Sequence, residues 1–245
     1  MHVLLSIDDT DNLECGFGTG KLAAQISQTI EERSWGSCQP ISRHQLLVHP
    51  DVPYTSHNSA MCFAVNIATD YLQQIISFAG DFLTDHSATG SDPGLCVVEV
   101  EKLAAPGRLI DFGYRAKREV LCKDDAYRLA SELKVHLSEY GGTGQGVVGA
   151  LAGTGLRLGG NDGRFRGKLP LGSPGEVLSV KQLLDHPLID RVEALHSGQL
   201  LEENDQVTLG EKVKTILRDH QAVLLVNPRQ KGGWETCPKE QLKIF

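Results

Sequence analysis

The sequence has no Cys-x-x-Cys pair and no Cys/His spacing of the metal-binding kind, although it holds six cysteines. A structural zinc site is therefore not expected, and Cys62 and Cys96, inside strand-like runs, read as inert core thiols. No apolar run nears the roughly 18 residues that a membrane helix needs. The segment HVLLSIDD after Met1 offers neither a basic n-region nor a small-residue cleavage site. These absences predict a cytoplasmic protein with no membrane partner. Positive charge is short as well, with 24 Lys and Arg against 31 Asp and Glu and a formal net charge of −7. That excludes a globally basic nucleic-acid binder but leaves room for a local basic groove. Internal repeats and low-complexity tracts are missing too.

What is present is ordinary globular material: 245 residues, 40% hydrophobic and 22% charged, enough for one large core or two smaller ones. Residues 2–7, HVLLSI, read as a buried strand. Residues 18–34 place Leu22, Ile26 and Ile30 at steps of four, the mark of a helix opening on glycine. Residues 41–49 and 59–68 read as extended, about 70–85 as a helix, and GLCVVEV after SDP as a further strand. That order, strand, helix, strand, strand, helix, strand, predicts a ferredoxin-like βαββαβ unit over residues 1–105.

A helical, Gly-rich section is expected over 106–172, with one helix from Asp124 to Glu139 and a small-residue helix in GGTGQGVVGALAGTGLRLGG. Thirteen of the 26 glycines lie between Gly141 and Gly175, which implies close backbone packing, ligand approach or a hinge. Short apolar runs from Glu176 onward predict a small β-rich domain over 173–245, with a hairpin turning at RDHQ. From Gln206 to Phe245 there are seven Lys or Arg against four Asp or Glu, so this end is locally positive. The fold class expected is α+β.

Chemistry concentrates where the first strand ends. In IDDTDN, an extended backbone would send Asp9 and Asp11 to one side and Asp8 to the other, whereas a turn would gather all three. Crowded carboxylates raise each other's pKa unless a cation neutralises them. Mg²⁺ is the cation that one or two carboxylates hold together with substrate phosphates. A turn or helix cap made of Asp, Thr and Asn is the competing reading. Gly16, Gly18 and Gly20 shift the balance, because bare amides at a helix N-terminus attract phosphate. GFGTGKL is no Walker A loop, since Lys21 is followed by Leu22. Gly144, Gly146 and Gly149 form a lone GxGxxG, for which tight helix packing is the competing account.

Elsewhere, Arg115, Lys117 and Arg118 offer phosphate contacts or a solvated face. His57 and Asn58, in a polar loop before a strand, are placed to meet a ligand or to hold that loop. His44 and His49 are an odd number of residues apart and would point oppositely from a strand, so they are poor partners in one metal site.

Taken together and in this order, IDDTDN, GTGKLA, HPDVPYTSHNSA, SDPG and GQGVVGALAGTG resemble the N-terminal half of the archaeal synthetases that attach agmatine to a wobble cytidine of an isoleucine tRNA. The resemblance covers about residues 1–160. It implies an ATP-dependent, kinase-like catalytic unit associated with a ferredoxin-like domain. Aspartates that bind Mg²⁺ and nucleotide phosphates fall on Asp8, Asp9 and Asp11, which flank Thr10, and a threonine that becomes phosphorylated falls on Thr19. The family's basic residue and asparagine after PY correspond to His57 and Asn58. The cysteines of its zinc ribbon are missing, and the segment from Glu176 onward matches neither that ribbon nor the family's OB-fold.

The expectation is an ATP- and Mg²⁺-dependent enzyme that activates an acceptor oxygen by phosphoryl transfer, the acceptor being a small molecule or RNA. Backbone at Gly18 and Gly20, and at Gly144 and Gly146, would cradle phosphate, and Lys21, Lys117 and Arg118 would offset charge. Two alternatives are a noncatalytic ATP-responsive binding module and an RNA-modifying enzyme whose C-terminal β domain contacts RNA. A homo-oligomer is left open.

Overall fold

The computed structural model describes residues 1–52, 58–230 and 232–245. Thirteen strands and six α-helices among them make a mixed α+β fold, divided into two compact units, Met1–Gly159 and Gly160–Phe245.

In the first unit, β1 (His2–Asp8) is the central strand. It pairs antiparallel with β4 (Ser59–Ile67) on one side and β5 (Gly94–Glu99) on the other. Both β2 (Gly36–Cys38) and β3 (Ser42–Gln45) pair with β4, so two short strands stand where one extended run was expected. The edge strand β6 (His136–Glu139) pairs with β5. The predicted helix from Asp124 to Glu139 is thus too long. Helix α4 (Lys123–Leu133) stops where Lys134 turns left-handed at φ 56°, and the chain re-enters the sheet.

Strand alternation divides the core. Val3, Leu5 and Ile7 of β1 pack with Phe63, Ile26, Ile30, Ile75 and Leu83 under α1 (Thr19–Glu32) and α2 (Leu72–His86). Leu4 of β1 faces the other way, where Cys62, Cys96 and Val98 meet α3 (Pro106–Arg115), α4 and α5 (Gly146–Gly159). Asp8 keeps this parity and ends β1 on the α5 side. Helix α5 is buried along most of its length, and its glycines explain how. A β-carbon at Gly153 would overlap the Ser6 hydroxyl, and one at Gly149 would overlap the Asp8 carboxylate. Four helical residues rise about 6 Å and two strand residues nearly 7 Å, so the two glycines ride over Ser6 and Asp8 in step. Close packing is what this part of the glycine-rich stretch provides.

The second unit is strand-rich. Its order is β7 (Arg164–Phe165), β11 (Ile216–Arg218), β12 (Gln221–Pro228), β13 (Trp234–Thr236), β10 (Gln206–Thr208) and β8 (Val177–Ser179). β9 (Arg191–Ala194) runs parallel to β12. The short helix α6 (Val180–Leu184) supplies Val180 and Leu183 to a core with Val192, Val207 and Leu224. β11 and β12 form the expected hairpin at RDHQ: Asp219 and His220 take φ 50° and 61°, the double left-handed turn that matches strand twist. Among the described residues, no helix is long and apolar enough to cross a membrane.

Candidate functional site

Asp9 breaks β1 by adopting φ 51°, a conformation that L-residues seldom hold without compensation. The reversal gathers what a straight strand would have separated. Asp8, Asp9 and Asp11 all line one cleft of about 210 Å³ in the first unit, together with Gly18, Thr19 and Gly20. Gly146 and Gly149 of α5 form another wall, and Arg43 and Ser59 a third. Leu46, Leu47, Val52, Val120, Leu121 and Val148 give the cleft an apolar side next to its acidic one.

Burial and mutual repulsion hold the carboxyls of the acidic side toward their protonated form. Asp8 is 7% exposed, and its carboxyl is pushed up to about 8, first by burial and then by the Asp9 charge. Burial also raises Asp9 to about 6, helped by Asp92 and Asp11. Each group takes one opposing backbone hydrogen bond, Asp8 at Asp9 and Asp9 at Asp92, and neither bond prevails. Asp92 sits just before β5, whose Gly94 pairs with Asp8, and Thr143 holds its carboxylate through both the amide and the hydroxyl. Among the described residues, no three His, Cys, Asp or Glu side chains stand close enough to make a ready-formed metal cage. One or two of these carboxylates with waters and phosphate oxygens is the donor set that Mg²⁺ takes, so the residues fit that ion.

Turn and cap roles fall on neighbouring atoms. Asn12 Oδ1 accepts the amides of Glu14 and Cys15 at 2.9 and 2.8 Å, an Asx-type turn. Asp11 Oδ2 accepts the Thr19 amide at 3.2 Å, so a carboxylate already occupies part of the α1 N-terminus, where the helix dipole favours it. Thr10 is buried with its hydroxyl unpaired among the described residues, and it does not line the cleft.

The other expected residues divide. Asn58 lines the cleft, yet its Nδ2 donates to Leu47 O at 2.6 Å and so holds the loop. His57 lies outside the described residues. Lys21 is exposed, its ammonium 5.6 Å from the Phe17 ring, and Arg118 Nε donates to Tyr114 O; neither lines the cleft. Lys117 is absent from the lining as well, whereas Ala116 and Glu119 beside it take part. Gly144 turns at φ 77° against Glu139, away from the lining, while Gly146 belongs to it. His44 is fully buried against Ser42 Oγ at 2.7 Å. Cys62 and Cys96 are buried free thiols, both pushed up to about 12, chiefly by burial.

Sequence reasoning missed Arg43 as a cleft residue and Asp92 as a neighbour of Asp9. Each reaches the acidic cluster through strand pairing far along the chain. The only available signal was SDPG preceding a strand.

No known protein family matches the chain, and no curated protein does. Solved structures match it in fold. The apo crystal structure of TiaS, an agmatidine synthetase acting on an isoleucine tRNA, is 25% identical with a TM-score of 0.53, over 63% of this chain and 35% of that one. The complex of TiaS with that tRNA and ATP is 25% identical with a TM-score of 0.54, over 63% and 36%. The TiaS complex with the same tRNA, AMPCPP and agmatine aligns with 99% of this chain and 55% of its own at 19% identity and a TM-score of 0.53, which speaks to the fold alone. In the first two alignments the matched region amounts to about a third of the neighbour's length.

Proposed function

We propose that this chain is an ATP- and Mg²⁺-dependent, ligase-like enzyme that modifies RNA, related to the agmatidine synthetases whose fold it resembles. The observation that carries the reading is the meeting of Asp8, Asp9 and Asp11 with the start of α1 in one cleft. A helix N-terminus attracts phosphate and carboxylates repel it, so both serve one ligand only with a cation between them. The neighbour crystallised with ATP and an isoleucine tRNA supplies the substrate class.

In this reading, Asp8, Asp9 and Asp11 hold Mg²⁺, which supplies charge neutralisation on the phosphates when bound. The chain's own work is positioning. The Gly18–Gly20 backbone receives phosphate oxygens, Thr19 presents its hydroxyl to the same space, and the apolar wall around Leu46 and Val148 excludes water beside them. A phosphoryl group passes from the nucleotide to an acceptor oxygen, forming one P–O bond as another breaks. An amine then attacks the carbon that bears this oxygen, forming a C–N bond as the C–O bond breaks and phosphate leaves. The ferredoxin-like description of residues 1–105, the kinase-like section over 106–172 and a β domain over 173–245 that contacts RNA belong to this proposal. The strand order β5-β1-β4-β3 with both helices against one face supports its first part.

The test is calorimetry with a nonhydrolysable ATP analogue and Mg²⁺, followed by turnover with bulk tRNA at several salt concentrations. Mg²⁺-dependent binding together with RNA-stimulated release of ADP, AMP or phosphate is expected. Binding without any release on long incubation points instead to a noncatalytic nucleotide-responsive module, and no binding at all removes the reading.

A further inference from the structure

The acidic cleft contains one basic side chain among its described lining residues, that of Arg43. Strand β3 carries it, and one bond to a described residue holds its guanidinium: Nε donates to Ser59 Oγ on the neighbouring strand at 2.9 Å. No hydrogen bond to a described residue engages the two terminal amino groups. The side chain is half-buried, and Asp11 acts on it as a nearby charge without forming an ion pair with it. Three other arginines of this unit, Arg108, Arg115 and Arg128, each meet a carboxylate directly. Arg43 is different: it shares the cleft lining with five carboxylates, Asp8, Asp9, Asp11, Asp51 and Glu119, and forms an ion pair with none of them among the described residues.

A guanidinium taken partly out of water needs charged or polar partners for all its N–H groups. Ser59 satisfies one and sets the plane. What is left is a planar fork on a residue that lines the cleft, the shape that binds two oxygens of one phosphate at once. Mg²⁺ cannot be its partner, and the carboxylates have not become so. We infer that Arg43 is a positioning residue that grips non-bridging phosphate oxygens of the polyphosphate bound in this cleft, with Ser59 locking the guanidinium in place. The inference rests on the nucleotide reading above and adds to it the residue that selects a polyphosphate over a bare divalent ion.

Two ligands with opposite charge test it. Calorimetry on the full chain measures Mg²⁺ alone, then inorganic tripolyphosphate and the ATP analogue in the presence of Mg²⁺, then a short RNA without nucleotide. Arg43→Ala is expected to weaken tripolyphosphate and ATP analogue by about ten- to a hundredfold, the scale of charge-assisted hydrogen bonds. It should leave Mg²⁺ affinity equal or higher, because a cation beside the carboxylates has gone. Unfolding cannot produce that opposite-sign pair. Arg43→Lys keeps the charge but not the fork and should recover part of the loss, and Ser59→Ala should weaken both polyphosphates without touching Mg²⁺. These two variants carry the test if Arg43→Ala does not fold. Should the wild type bind neither polyphosphate, the nucleotide reading itself falls. Should the wild type bind both and Arg43→Ala and Ser59→Ala bind them equally well, the Arg43 assignment alone is overturned. An RNA affinity that drops while polyphosphate affinity holds also overturns it, by moving the guanidinium's partner to the nucleic-acid backbone.

Discussion

Gly149 of α5 lies directly against the carboxylate of Asp8, so closely that no β-carbon fits between them. Burial is the largest influence raising that carboxyl, and α5 is one of the elements packed against it. The proposed cation site thus includes a close packing contact.

Gly149→Ala is accordingly expected to lower stability by about 1–3 kcal/mol, the usual cost of overpacking a close contact. The added methyl must displace either α5 or Asp8. Chemical denaturation of the single variants and of Gly149→Ala/Asp8→Ala separates these. The double variant should lose less than the two singles combined, because the clash needs both groups. Strict additivity would refute the contact.

The pH dependence of the metal-free protein has a definite sign. Unfolded aspartates titrate near 4, whereas Asp8 and Asp9 in the fold titrate near 8 and 6. Between these values the folded state holds protons that the unfolded state has lost, so stability from these groups falls as pH rises from about 4 toward 8. Thermal melts in chelator should show a midpoint that declines over this window, and Asp8→Asn should flatten the decline. Added Mg²⁺ should raise the midpoint more at pH 8 than at pH 5, since it binds the ionised form. A Mg²⁺ effect independent of pH would remove the carboxylates from the metal site.

Much of this was legible in the sequence because it is local. Leu22, Ile26 and Ile30 repeat at helical spacing and do face the core. The hairpin at RDHQ needed only two flanking apolar runs. Three aspartates within four residues cannot avoid one another once the strand ends. Arg43 was not legible as a site residue, and Gly149 only as part of a lone GxGxxG, because each reaches the acidic cluster only after β4 pairs with β1, β3 pairs with β4 and α5 packs on the sheet. The end of α4 was missed for another reason: Lys134 takes the left-handed position that glycine or asparagine usually signals. Nothing in its side chain marks the stop.

Thr19, only 7% exposed, opens to the cleft. If it is the phosphate acceptor that the resemblance implies, incubation with Mg²⁺ and ATP should leave phosphothreonine at position 19 by peptide mass spectrometry. Thr19→Ala should abolish the modification, and Thr19→Ser should retain it at a reduced rate. Label appearing unchanged in Thr19→Ala would assign it elsewhere.

Asp11 offers the sharpest separation of structure from chemistry, because its observed cap and its proposed Mg²⁺ role are divided by different substitutions. Its Oδ2 accepts the Thr19 amide at the start of α1, and Gly18 supplies no side-chain cap of its own. Asparagine retains an oxygen for that bond but loses the charge; alanine loses both. Asp11→Asn should therefore stay within about 0.5–1 kcal/mol of wild-type stability, the dipole contribution of one charge, while Asp11→Ala loses roughly 1 kcal/mol or more with the cap. Calorimetric Mg²⁺ affinity should fall in both variants by a similar factor, since a neutral amide oxygen is a poor substitute for a carboxylate at a hard cation. If Asp11→Asn binds Mg²⁺ like the wild type, Asp11 is a helix cap and the ion is held by Asp8 and Asp9 alone.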